Sequence, residues 1–159
     1  MREKAKKTQW SNFRIGITGC SGSLGQALTK KLKSKGAFIV GITSNSSRNP
    51  DNQKNTYDEL INWECGKEYL LDGVFEKINI LILNHGINLQ GSQSNEDINK
   101  SLEVNALSTW KLIERFESVT KKKKDKKENH EIWVNTSEAE IQPALSPTYE
   151  ISKRLIGQL

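Results

Sequence analysis

The sequence of 159 residues predicts an α/β fold, with a doubly wound and mostly parallel sheet that helices cover on both faces. Short apolar runs typical of buried strands alternate with longer stretches whose apolar residues recur at helical spacing. One run, residues 78–84, is almost continuously apolar, as expected at the centre of a parallel sheet. Residues 15–25 pass from an apolar strand through a glycine-rich turn into a helix, which is typical of a parallel βαβ unit.

The first half of the chain predicts two strands with a helix between them. Residues 13–18 form the first strand, and residues 37–43 form the second. The intervening helix has apolar residues at helical spacing over 24–32, lysines on the opposite face, and Gly36 at its end. Residues 44–58 are polar and predict an exposed connection.

The second half of the chain continues the alternation of strands and helices. The pattern predicts a short strand at 60–64, a helix at 67–77, the central strand at 78–84, an amphipathic helix at 96–120, a strand at 132–136 and a final helix from Pro147 onwards. Residues 13–159 are therefore expected to form one domain, preceded by a mobile basic segment over residues 1–12.

Composition limits the possible settings and partners. The chain has a net charge of +5 and 35% hydrophobic residues, and it has no apolar run long enough to span a bilayer. Its basic start is not followed by the apolar segment of a signal peptide. Cys20 and Cys65 lack metal-ligand or disulfide spacing, so we expect no metal and a reducing, cytoplasmic setting. The lysine run at 121–127 lacks interleaved aromatic residues, which favours a solvated loop over a nucleic-acid or membrane surface.

The glycine turn predicts a site for a dinucleotide's pyrophosphate. Gly19 permits the sharp turn, Gly22 lets the backbone approach phosphate, and Gly25 lets the helix pack close to the strand. The N–H groups at the start of the helix would then face the anion. Neighbouring residues predicted to contribute to this site are Thr18, Ser21, Ser23 and Leu24.

Further polar residues follow other strands, where ligands of open α/β sheets bind. Asn84-His85-Gly86 follows the central strand, and Thr136-Ser137 closes the last one. Tyr149 and Lys153 are four residues apart, so they share one face of the final helix. Histidine at position 85 is more typical of a packed or solvent-facing side chain than of a catalytic one.

Together these motifs resemble the short-chain dehydrogenase/reductase superfamily, which has a Rossmann-type fold. The resemblance covers residues 13–159 and rests on Thr18-Gly19-xx-Gly22-xx-Gly25, Asn84-His85-Gly86, Asn105, Ser137 and Tyr149-xxx-Lys153, which occur in the family's order. Residues 81–88 and 135–140 are most similar to cyanobacterial-type members of that superfamily.

The resemblance implies a role for each catalytic residue. Tyr149 would exchange a proton with the substrate's carbonyl or hydroxyl oxygen, and Lys153 would favour the phenolate and bond the nicotinamide ribose. Ser137 would bond the substrate oxygen, although Thr136 and Glu138 remain alternatives because the spacing to the tyrosine is one residue short. Asn105 would hold a water molecule that links Lys153 to solvent. The hydride chemistry would come from the cofactor.

The end of the second strand indicates which nicotinamide cofactor is bound. An acidic residue there would bind the adenosine ribose hydroxyls, but this chain has Thr43, Ser44 and Arg48 and no carboxylate. Hydroxyl and guanidinium donors suit a 2′-phosphate, so we predict NADP(H) over NAD(H). Asn84 and Gly86 are predicted to line the same cofactor site.

The resemblance also predicts what this chain lacks. Members of the superfamily continue beyond the Tyr-xxx-Lys helix with strands that complete the sheet, so we expect a truncated domain without its last strands. A partner chain or a homo-oligomer would then complete it. The function predicted first is hydride transfer between a carbonyl and an alcohol, with activity dependent on that completion. The alternatives are a non-catalytic NADP-binding protein or an inactive fragment, and then a basic structural domain.

Overall fold

The computed structural model describes residues 10–44, 56–90, 94–122 and 129–158. Within these ranges five parallel strands form one sheet in the order β3-β2-β1-β4-β5. The strands are β1 (Arg14–Thr18), β2 (Phe38–Thr43), β3 (Glu59–Asn62), β4 (Ile80–Leu83) and β5 (Glu131–Val134). The doubly wound parallel sheet that the sequence predicts is therefore confirmed.

Helices connect these strands and cover both faces of the sheet. They are α1 (Ser23–Ser34), α2 (Asp72–Phe75), α3 (Asn95–Leu102), α4 (Ser108–Lys121) and α5 (Pro147–Ile156), with 3₁₀ turns at Glu68–Leu71 and Glu138–Glu140. A π-helical turn, Glu103–Leu107, joins α3 to α4. Within the described ranges, no helix combines the length and apolarity that crossing a membrane requires.

Alternating residues of the strands supply the two halves of the core. Ile80 and Ile82 of β4 pack on the face that α1 covers, whereas Leu81 and Leu83 pack on the face of α2 and α4. All four residues of β4 are at most 3% exposed. This burial on both sides explains why the strand reads as a continuous apolar run.

The ends of α1 follow directly from its sequence. Lys31 and Lys33 occupy the last turn, where cations interact favourably with the helix dipole. Gly36 then adopts φ 91°, a left-handed conformation that glycine reaches without steric cost. The chain thereby reverses into β2 two residues later, at Phe38.

Two expectations about local structure need correction. Residues 67–77 form a 3₁₀ turn and the single-turn α2 rather than one helix. The two segments each place one residue in the core, Leu71 from the 3₁₀ turn and Phe75 from α2. The connection at 44–58 is expected to be exposed, but Tyr57 within it is buried. Tyr57 is 7% exposed and donates a hydrogen bond to the Cys20 carbonyl at 2.8 Å.

Several sequence predictions lie outside the described residues. These are most of the N-terminal segment (1–9), positions 45–55 with Arg48, and the greater part of the lysine run (123–127). Trp10 is described: it packs against Phe13 and meets Trp133 of β5 edge-on, with ring centroids 6.2 Å apart. Cys20 is fully buried and Cys65 half-buried, and both are free thiols.

The strand order creates a crevice at one point of the sheet. The chain runs outward from β1 through β2 to β3, and it then returns to place β4 on the other side of β1. The connections after β1 and β4 therefore diverge to opposite faces of the sheet. In open α/β sheets this switch point, at the carboxyl ends of the strands, is where ligands bind.

Candidate active site

A cavity of about 620 Å³ opens at this switch point. The turn after β1 and the start of α1 line one end of it, and α5 lines the other. The residues that line it and that the sequence singles out are Gly19, Ser21, Gly22, Ser23, Leu24, Thr43, Ser44, Asn84, Gly86, Tyr149 and Lys153. The structure thus brings most of the predicted site residues together in one crevice.

Backbone packing explains two of the three glycines in the turn. Gly19 has φ 61°, and a Cβ there would lie 2.8 Å from the Cα of His85. A Cβ at Gly25 would overlap the Gly19 carbonyl and lie 2.7 Å from the Cα of Cys20. The nearest atom to a Cβ at Gly22 would be 3.4 Å away, so the turn keeps open space at this position on the cavity wall.

The N-terminus of α1 is built to receive an anion. Gly22 is its N-cap residue, no side chain caps it, and its first turn carries no acidic residue. The N-terminus of α3 differs, because the Ser94 hydroxyl there accepts a hydrogen bond from the Asp97 N–H at 3.1 Å. The free N–H groups of α1, at a cavity lined by Ser23 and Leu24, fit the pyrophosphate of a dinucleotide.

Thr18 ties the end of β1 to the segment after β4. Its Oγ1 accepts hydrogen bonds from the backbone N–H groups of Asn84 (3.0 Å) and His85 (3.3 Å). Thr18 itself is fully buried, behind the cavity wall. These bonds hold the two connections that form the crevice against each other.

Tyr149 and Lys153 lie at the far end of the cavity, on α5. The Lys153 Nζ is 5.7 Å from the centre of the Tyr149 ring, and the lysine is 4% exposed. Burial lowers the pKa of Lys153 from its ordinary value. No residue in the described part of the chain accepts a hydrogen bond from this ammonium. A charged donor without a partner thus borders the cavity.

Asn105 lies behind this end of the cavity, in the π-helical turn. It is fully buried; its Oδ1 accepts from the Ile87 N–H at 2.7 Å, and its Nδ2 donates to the Ile87 carbonyl and to the Ser152 hydroxyl, both at 2.9 Å. The Ser152 hydroxyl donates to the Tyr149 carbonyl at 2.7 Å. Asn105 therefore fixes the backbone after β4 and the helix that carries Tyr149 and Lys153.

Ser137 lies at a second, adjoining cavity of about 650 Å³. Tyr149 and Asn88 line both cavities. Glu138 also lines the second cavity, whereas Thr136 is not among its lining residues. The Ser137 hydroxyl accepts a hydrogen bond from the Ala139 N–H at 3.3 Å and so caps the 3₁₀ turn. Ser137 and Tyr149, which the sequence predicts to act together, therefore both line this second cavity.

The cavity includes residues that sequence reasoning missed. Trp63, Glu64 and Cys65 line it beyond the end of β3, and His85 and Lys100 line it elsewhere. The rule that ligands bind beyond the carboxyl ends of strands could have identified the first three. Among the predicted residues, Thr18, Gly25 and Asn105 lie behind the wall, and Arg48 is outside the described ranges.

The fold and the crevice define a class, that of doubly wound α/β proteins that bind dinucleotides at the switch point of the sheet. The model of the NAD dependent epimerase/dehydratase family matches residues 15–139, and the chain belongs to that family, within the short-chain dehydrogenase/reductase superfamily. This family uses a nicotinamide cofactor.

Known relatives agree with this assignment. The chain is 37% identical over 148 residues to a monoglucosyldiacylglycerol epimerase from Synechocystis sp.; the match covers 92% of this chain and 36% of that protein's length. A short-chain dehydrogenase from Leptospira borgpetersenii with bound NAD+ has a TM-score of 0.80 at 20% identity, covering 98% of this chain and 66% of the other. Ligand-free aldohexose dehydrogenase from Thermoplasma acidophilum has a TM-score of 0.76 at 16% identity, covering 94% and 59%. At these identities, the two structures show a shared fold.

Proposed function

We propose that this chain binds NADP(H) across the crevice and uses Tyr149 as the acid/base in hydride transfer between an alcohol and a carbonyl. The phosphates would lie on the uncapped N-terminus of α1, and the nicotinamide ribose would lie beside Lys153. Because the chain spans about a third of its curated relative's length, substrate and activity belong to this proposal rather than to the comparisons.

The position of Lys153 supports the proposal most strongly. The residue is 4% exposed, and burial lowers its pKa, so oxygen ligands placed at the ammonium would stabilise its charged form. The described part of the chain supplies none to Nζ, and the cavity it borders also contains the anion site of α1. Ribose hydroxyls of a dinucleotide that spans the cavity would supply these ligands.

Tyr149 is placed to exchange a proton with the substrate. It lines both cavities, so a substrate in the second could approach a nicotinamide in the first. The Lys153 Nζ lies 5.7 Å from the centre of its ring, on the same side of α5. Ser137, on the wall of the second cavity, would donate to the developing oxyanion. When bound, the cofactor donates or accepts the hydride.

The preference for NADP(H) rests on the hydroxyl groups at the carboxyl end of β2. Thr43 and Ser44 line the cavity, and the Thr43 hydroxyl lies 2.9 Å from that of Ser21. Hydroxyl donors on both sides would bond a 2′-phosphate, and no carboxylate follows β2 directly to repel it. Replacing Ser44 by Asp should therefore weaken NADPH binding and leave NADH binding nearly unchanged.

A second candidate function is epimerisation of a sugar hydroxyl, which the 37% identity to the monoglucosyldiacylglycerol epimerase favours. The same Tyr149 would remove the hydroxyl proton while NADP+ would accept the hydride from that carbon. Once the ketone has presented its other face, the hydride would return to the carbon and the proton to the oxygen. The net redox change is then zero. The two functions differ in one measurable respect, because a dehydrogenase consumes cofactor stoichiometrically and an epimerase does not.

The test follows NADPH oxidation by the full chain against a panel of ketones, with monoglucosyldiacylglycerol and NADP+ as a parallel arm. Oxidation that is lost in Tyr149→Phe supports the dehydrogenase. Inversion of the sugar without net cofactor change, also lost in that variant, supports the epimerase. Tyr69→Phe is the matched control, because Tyr69 is 58% exposed and lies outside both cavities. Cofactor binding without either reaction would support the non-catalytic alternative.

A further inference from the structure

His85 lies between the two ends of the crevice, and both of its ring nitrogens have partners. Its Nδ1 is 2.8 Å from the Thr18 hydroxyl, and its Nε2 is 2.7 Å from the Ser108 hydroxyl at the start of α4. Its ring also meets the buried indole of Trp63 edge-on, with centroids 5.3 Å apart. The side chain is half-buried and lines the cavity.

The surrounding bonds select one neutral tautomer of the imidazole. The Ser108 hydroxyl donates to the Val104 carbonyl at 3.0 Å, so its oxygen is free to accept a hydrogen bond from an Nε2–H group. On the other side, Thr18 Oγ1 already accepts two backbone N–H groups, and its one hydroxyl proton has two acceptors within reach. These are Nδ1 at 2.8 Å and the Ile82 carbonyl at 3.3 Å, so the nearer acceptor for that proton is Nδ1. Nδ1 is therefore the acceptor and Nε2 the donor.

These bonds extend in both directions from the ring. Thr18 immediately precedes the glycine turn, and the His85 backbone packs on Gly19. On the far side, Ser108 bonds to the π-helical turn that contains Asn105, and Asn105 bonds to Ser152, the residue before Lys153. Hydrogen bonds on both sides of the ring, linked through the backbone from Val104 to Asn105, thus join the proposed phosphate site to the helix of Tyr149 and Lys153.

We propose that His85 is a positioning residue, which fixes the phosphate-binding turn at the distance from Tyr149 and Lys153 that a dinucleotide must span. This inference rests on the proposed function, because it assumes that one ligand occupies both ends of the crevice. Because His85 holds the two ends of the crevice at a fixed distance, less conformational entropy is lost when a ligand that spans both ends binds. His85 has no such effect on a ligand that touches only one end.

Comparison of a long and a short ligand tests the proposal. NADPH would span both ends, whereas ADP reaches only the turn and the adenosine side. His85→Phe keeps the ring volume against Trp63 and removes both hydrogen bonds. We expect roughly tenfold weaker NADPH binding, which corresponds to about 1.4 kcal/mol of binding free energy. The Kd for ADP should stay within twofold of the wild-type value.

Equal weakening for both ligands, or for neither, would overturn the proposal. Thr29→Val is the matched control, since it removes a fully buried hydroxyl of α1 outside this series of bonds and should change neither Kd. If His85→Phe does not fold, Ser108→Ala decides the question, because it detaches only the α4 side and should again weaken NADPH selectively. Wild-type protein that binds neither ligand would instead refute the proposed function.

A spectroscopic measurement adds a readout that a purely structural role would not move. The ¹⁵N shifts of the His85 ring at neutral pH should show a protonated Nε2 and a bare Nδ1, and NADPH should perturb both signals. ADP should perturb Nδ1, on the Thr18 side, more than Nε2. Ring ¹⁵N shifts that do not change when NADPH binds would contradict a positioning role.

Discussion

The two ends of the crevice are built differently. At the phosphate end, glycine backbones pack without space for a Cβ, and buried Thr18 bonds two connections together. At the substrate end, the loop between β5 and α5 leaves Ile141 at 74% exposure and Leu145 fully exposed. The proposed phosphate site is therefore shaped by backbone packing within the described residues, whereas these residues do not enclose a substrate.

Breaking the backbone packing at the phosphate end should have the largest effect. A Cβ at Gly25 overlaps the Gly19 carbonyl, and backbone atoms cannot move aside cheaply. We expect Gly25→Ala to destabilise the fold by about 3 kcal/mol and to abolish dinucleotide binding. Urea unfolding and NADPH titration measure the two effects.

Gly73→Ala is the matched control, because a Cβ at this position in α2 would meet no atom within 4 Å. Its helical propensity should leave stability unchanged or raise it by up to about 1 kcal/mol. If the two alanine variants behaved alike, close packing at the turn would not explain the glycine.

The next largest effect is the pH dependence that His85 contributes. Burial and, secondarily, the charge of Lys153 lower its pKa from 6.5 to about 4. The unfolded state then binds more protons than the folded state between these two values, so stability rises with pH through that window. The contribution is complete above pH 6.5 and is lost below pH 4, and with solvent screening it amounts to about 2 kcal/mol.

The difference between wild type and His85→Phe isolates this contribution, because the carboxylates titrate in both proteins. Unfolding free energies measured from pH 4 to 7 should converge at the acid end. Parallel curves would mean that the imidazole is not held neutral by its two hydroxyl partners.

At the substrate end, Lys153→Met should have opposite effects on stability and on cofactor binding. The variant removes the ammonium of a residue that is 4% exposed, a group that lacks a protein acceptor among the described residues. Stability should therefore rise by roughly 1 kcal/mol, while cofactor binding and any hydride transfer fall. A variant that is both less stable and fully active would show that the ammonium has a structural role instead.

The sequence predicted more of the phosphate end than of the substrate end. The strands and the glycine turn could be recognised because apolar runs and glycine spacing are local patterns. The π-helical turn could not, because it depends on Asn105 bonding to Ile87 and Ser152 across the fold. Trp63 and Cys65 could have been proposed because they follow a strand, but the nearness of β3 to the crevice depends on the order of strands in the sheet, which no local pattern contains.

The smallest effect is expected at the open end. Leu145 is fully exposed, so Leu145→Ser should change stability by less than about 0.5 kcal/mol and leave the Kd for NADPH unchanged. Only the KM for a substrate in the second cavity, which Leu145 lines, should respond. A loss of cofactor affinity in this variant would show that the two ends are not independent.

Dinucleotide binding at the crevice can be measured by titrating the folded chain with NADPH and following nicotinamide fluorescence. We predict saturable binding that Tyr149→Phe and Leu145→Ser retain and that folded Gly25→Ala loses. Folded wild-type protein that binds neither NADPH nor NADH would contradict this prediction, as would a Gly25→Ala variant that binds with the wild-type Kd.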